Sequence, residues 1–134
     1  MTLDWLSDAG LTPPVHAKLV ELEAALWDGT VDADLLRLVR ARAAQLIGDQ
    51  VAPGDEAIAE TARTWTSSPD LDDQARVVMR WAEQFVIDPH EITDADAEAL
   101  RGVLDGRQCG TLTTAIAVFE ALSRTRVALA NQEV

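Results

Sequence analysis

The chain is poor in the residue types that carry most enzyme chemistry. It has one cysteine, Cys109, so neither an internal disulfide nor a CxxC redox pair can form. It has two histidines, His16 and His90, too few to suggest a metal site, and no metal or other cofactor is expected. Tyrosine is absent and aromatics make up 4%. Basic residues are scarce as well: eleven against 23 acidic ones, a net charge of -12. That balance excludes a general binder of nucleic-acid backbones, which needs a basic footprint. It also argues against docking on anionic lipid. No apolar run approaches the ~18 residues of a membrane span. The first residues, MTLDWLSDAGLTPP, contain Asp4 and Asp8 and lack the cationic start and apolar stretch of a secretory leader, so a cytoplasmic protein is expected.

What remains is globular in composition: 48% hydrophobic and 25% charged over 134 residues, the size of one domain. Residues 1–134 are therefore read as a single all-helical domain, with an N-terminal arm at 1–13. Every long segment repeats with a helical period, and no strict alternation suggests a strand. Val15, Leu19, Leu22 and Leu26 define one predicted face after Pro13–Pro14, and Gly29 ends that helix. Asp32 is a candidate N-cap for a second, with Leu35, Leu36, Val39, Ala43 and Leu46 on one side. Pro53–Gly54 breaks the pattern, and a third helix is expected from about Asp55 to Trp65. A fourth carries Leu71, Ala75, Val78 and Phe85. Asp88–Pro89 is a turn, and Thr93–Asp96 resembles a capping box that opens a fifth helix through Leu104. The last, about Arg107–Ala130, is nearly all apolar between Leu112 and Leu122, which predicts a central helix or a subunit interface. The expectation is all-α with about six helices.

The segment DADLLRLVRARAAQLIG at Asp32–Gly48, with R-x-R-x-A-Q at Arg40–Gln45, resembles a helix of the carboxymuconolactone decarboxylase and alkylhydroperoxidase-like family. Pro69–Val86 and Ile92–Leu129 resemble its later helices, so the likeness covers about Leu19–Leu129. It implies an alkylhydroperoxidase-like helical bundle and a homo-oligomer: a dimer, trimer or hexamer. Redox members of that family carry CxxCxxxH, with an upstream glutamate. Laid on this chain, the first cysteine falls at Asp49, the second at Ala52, the histidine at Glu56 and the glutamate at Arg37. A carboxylate cannot reduce a peroxide, and an alanine cannot resolve a sulfenic acid. The resemblance therefore implies a member that has lost the peroxidase site, a non-redox binding or structural protein. The alternative is a cofactor-free decarboxylase or isomerase of a small carboxylate substrate. There Arg37 or Arg40 would hold the carboxylate, and Asp49 or Glu56 would act as base. Arg37 is further expected within ~4 Å of Glu56 or Asp49, a sign-reversed ion pair in the vacated site.

Other residues have structural expectations. Cys109 in the first turn of its helix is read as a small core residue, although a helix start can lower a thiol pKa. His16 and His90 are expected at the surface. Trp81 is placed in the core, Trp5 as an anchor of the N-terminal arm, and Trp27 and Trp65 at helix ends, packed or lining a pocket. Arg37, Arg40 and Arg42 do not share one helix face, so a solvated or ion-paired role is expected over an anion site. The aspartates at 70, 72 and 73 and at 94 and 96 sit at helix starts, where they favour the dipole and cap free N–H groups.

Overall fold

The computed structural model describes residues 13–130. Six α-helices and no strand occur among them: α1 Pro13–Leu26, α2 Ala33–Ile47, α3 Glu56–Arg63, α4 Asp73–Ile87, α5 Asp94–Val103 and α6 Gly106–Ala130. A short 3-10 turn, Pro89–Glu91, joins α4 to α5. None of these helices is long and apolar enough to cross a membrane.

Local chemistry sets the boundaries of α2. The Asp32 carboxylate accepts the N–H groups of Asp34 and Leu35 at its start. Gly48 at φ +88° ends it in the left-handed conformation that a glycine adopts without strain. At α5 the capping box is complete: Thr93 Oγ1 accepts the Asp96 N–H, and the Asp96 carboxylate accepts the Thr93 N–H. The Thr93 backbone N–H and hydroxyl beside it, with Arg80 nearby, hold the Asp96 carboxyl below its ordinary pKa. Asp72 caps α4 through the Ala75 N–H.

Helix α2 lies at the centre of the core. Leu36, Leu38, Val39, Ala41, Ala43 and Ala44 are buried, packed between α6 and α4 with α3 across them. Helix α6 contributes Leu112, Ala115, Ile116, Phe119 and Leu122, and α4 contributes Val78, Met79, Ala82 and Val86. The last helix is central, one of the two roles expected of it, along the face that carries Leu112, Ala115, Ile116, Phe119 and Leu122; Thr114, Ala117 and Ala121 are exposed, and Leu129 is 37% exposed. One expectation needs correction here. In α1 the anticipated face is only partly covered: Val15 is 47% exposed and Leu22 40%, Leu19 is half-buried, and only Glu23 and Leu26 in this helix are buried. Apolar residues also fall at Ala17, Val20, Ala24 and Ala25, so no single stripe on α1 was defined.

Candidate functional site

Arg37, Asp49, Ala52 and Glu56 are not brought together. Arg37, on the exposed side of α2, pairs with Asp34 one turn earlier at 3.2 Å. Glu56 is exposed, and its carboxylate accepts the Gly54 N–H at 2.9 Å, tightening the loop before α3. Asp49 reaches α6 instead: it accepts from Ser123 Oγ at 2.9 Å and from Arg126 Nε at 2.7 Å. Ala52 is buried. The expected Arg37 pairing with Glu56 or Asp49 is therefore corrected. Ten helical residues at 1.5 Å each put Arg37 about 15 Å along the axis from Ile47, where α2 ends before Asp49, and the two side chains cannot bridge that distance.

The buried charge lies one turn further along α2, at Arg40. Its Nε donates to Asp55 Oδ2 at 2.8 Å and its Nη2 to Asp55 Oδ1 at 3.0 Å, a bidentate pair. Arg40 is 8% exposed and Asp55 1%. Glu23 of α1 stands 3.7 Å from Nη1. The guanidinium carbon lies 4.8 Å from the Trp27 ring centre and 5.9 Å from that of Phe119, within range of cation–π attraction. Sequence reading placed Asp55 at the start of the third helix but missed its side-chain role: it makes no capping bond and serves Arg40.

The polar residues of R-x-R-x-A-Q all tie α2 to other elements. Arg42 Nη2 donates to Glu83 of α4 at 2.8 Å, and Glu83 also accepts the Trp65 indole N–H at 2.6 Å. Gln45 Nε2 donates to the Ala59 carbonyl of α3 at 2.7 Å. Each bond satisfies a group that burial would otherwise penalise. The pattern thus fixes how α3 and α4 sit on α2. The three arginines have three fates: Arg37 exposed, Arg40 buried, Arg42 half-buried.

Cys109 is half-buried, with its Sγ directed at the Leu104 carbonyl at 3.7 Å. Burial pushes its thiol pKa up, aided by Asp105 and only partly opposed by Arg101. The helix start does not activate it, and this environment favours the thiol over the nucleophilic thiolate. Trp81 is half-buried against the core and donates its indole N–H to Thr113 Oγ1 at 3.1 Å. Trp27 packs on Phe119 with ring centres 6.0 Å apart. His90 is exposed, as expected, whereas His16 is half-buried. Trp5 lies outside the described residues.

Two clefts stand out among the described residues. One, of about 440 Å³, has a floor of Leu35, Leu38, Ile58, Leu71 and Ala75 beneath Asp32, Asp34, Asp70 and Asp72. Asp32 and Asp72 are occupied as helix caps, and Asp34 by Arg37. The other, of about 350 Å³, lies between the end of α1 and the start of α6, lined by Leu26, Asp28, Arg107, Gly110 and Thr114 among others. Neither is lined by Arg37, Asp49 or Glu56. Among the described residues no group of three or more His, Cys, Asp or Glu side chains is placed to hold a metal ion. Compared with protein-family models and with curated proteins, the chain matches none.

Proposed function

We propose that this chain is a non-redox member of the carboxymuconolactone decarboxylase and alkylhydroperoxidase-like group, acting as a binding or structural protein in a homo-oligomer. The observation that carries this reading is the pair Val15 and Leu22, seven residues apart on one side of α1 and 47% and 40% exposed. Large apolar side chains exposed on the same side of a helix mark a candidate association site. Two further facts support a non-redox role. The chain has no thiol pair, and its single thiol has its pKa raised. The positions where family members carry reactive groups hold an exposed ion pair, a loop-closing carboxylate and a tie to α6.

Light scattering at micromolar concentration tests the assembly. The expected mass is at least twice 14.5 kDa. A Leu22→Glu substitution on α1 should move that mass toward the monomer, because it places a charge in the contact. A 14.5 kDa particle for the unaltered chain overturns the reading.

A further inference from the structure

Arg40 has one side left over. Nε and Nη2 are committed to Asp55, which leaves Nη1 directed at Glu23. At 3.7 Å that contact is an ion pair but not a hydrogen bond. Glu23 Oε1 is buried and accepts no hydrogen bond at all, although Glu23 is only 9% exposed. Buried carboxylate oxygens are ordinarily satisfied, so this one calls for an explanation. The surroundings are a guanidinium fixed by a second acid and faced by two aromatic rings, Trp27 and Phe119. That arrangement suits a carboxylate attached to a flat apolar body.

We propose that Arg40, Trp27 and Phe119 form a binding site for a small aryl carboxylate, and that Glu23 is its built-in occupant, held there by α1. Exchange of one carboxylate for another leaves the charge of the buried cluster unchanged, so no new ion is desolvated without a partner. A free carboxylate is not tethered to a helix and can close on Nη1 to the usual ~2.8 Å that Glu23 does not reach. Glu23 and Leu26 are three residues apart on the same face of α1, so the release of one releases the other. The open cleft beside Leu26 is not lined by Arg40, Trp27 or Phe119, so the ring of the ligand finds room only once α1 has moved. Helix α1 buries only these two side chains, which places it at the low end of local stability. This deepens the binding reading above and rests on it: release of α1 also withdraws Val15 and Leu22 from the proposed contact. Particle mass without ligand tests that reading and ligand affinity tests this one, so either can fail alone.

The test uses the full chain with phenylacetate as probe and phenylacetamide as its uncharged counterpart, measured by titration calorimetry. Glu23→Ala is expected to bind phenylacetate at least ten-fold more tightly than the unaltered chain, with no gain for phenylacetamide. Equal phenylacetate affinity in both proteins overturns the proposal, as does an equal gain for the amide. Should Glu23→Ala fail to fold by circular dichroism, Glu23→Gln makes the same comparison with the side-chain volume kept. In the unaltered chain, phenylacetate should speed proteolytic cleavage within residues 13–26. Protection of that segment, or no change in its cleavage, counts against release of α1.

Discussion

Helices α1 and α2 have nearly the same length, 14 and 15 residues, yet α2 buries eight side chains and α1 two. Both begin with apolar residues at helical spacing. The difference lies in their neighbours and in their polar residues. Helix α2 is surrounded by α3, α4 and α6 and sends Arg40, Arg42 and Gln45 to specific partners. Helix α1 leans mainly on α6 and touches α2 through the imperfect Glu23 contact. Apolar spacing proposes a face, but the number of packed neighbours decides whether it is buried.

The sharpest way to break this comparison is at the centre of α2. Asp55→Ala would strand the Arg40 guanidinium with only the distant Glu23. A loss of about 3–5 kcal/mol is expected, as for other buried pairs that lose one partner. Urea denaturation reads it, and a loss below about 1 kcal/mol would mean that water reaches Arg40. Next comes packing. Leu36 is fully buried and Leu22 is not. Leu36→Ala should cost about 2–5 kcal/mol. Leu22→Ala, measured on dilute monomer, should cost less than ~1 kcal/mol. Similar losses at the two sites would erase the distinction between the helices. Removal of a cap has a smaller effect: Thr93→Ala should cost about 1 kcal/mol of thermal or denaturant stability.

The smallest effects belong to exposed charge. Arg37→Ala removes a solvent-facing i,i+3 pair and should change stability by no more than ~0.5 kcal/mol. Asp96 adds a pH signature. Its folded pKa is lowered, so its contribution is present above the ordinary carboxylate range and is lost as pH falls through the folded value. The difference between the unaltered chain and Asp96→Asn should therefore shrink between neutral pH and about pH 3. A pH-independent difference would show that the Thr93 N–H bond does not discriminate the ionised form.

Helix ends were legible because their chemistry is local. Asp32 caps α2, Thr93 and Asp96 form their box, and Asp88–Pro89 turns the chain, all between residues no more than three apart. The 3-10 turn at Pro89–Glu91 was a finer detail within that turn. Side-chain partners were not legible. Arg37 and Arg40 have identical chemistry one turn apart, and only the return of the chain through Gly54 selects Arg40 for Asp55, 15 residues away. Asp49 finds Ser123 across 74 residues. No spacing rule encodes that, because it depends on where α6 crosses the end of α2. The α1 face was overestimated for a related reason: periodicity says which residues align, not whether another helix is present to cover them.

The two ties on either side of the Gly48–Gly54 turn also imply an order of assembly. Arg40–Asp55 closes a loop of 15 residues, whereas Asp49–Ser123 closes one of 74. Closure entropy grows by about 0.6 kcal/mol per doubling, so the longer loop costs roughly 1.4 kcal/mol more when closed alone. Chains collapse first where contacts are near in sequence. The α2–α3 hairpin is thus the early scaffold, and α6 swings onto it late. A ribosome releasing this chain would present a half-built core, with the side of α2 that packs on α6 uncovered, until that 25-residue helix has emerged.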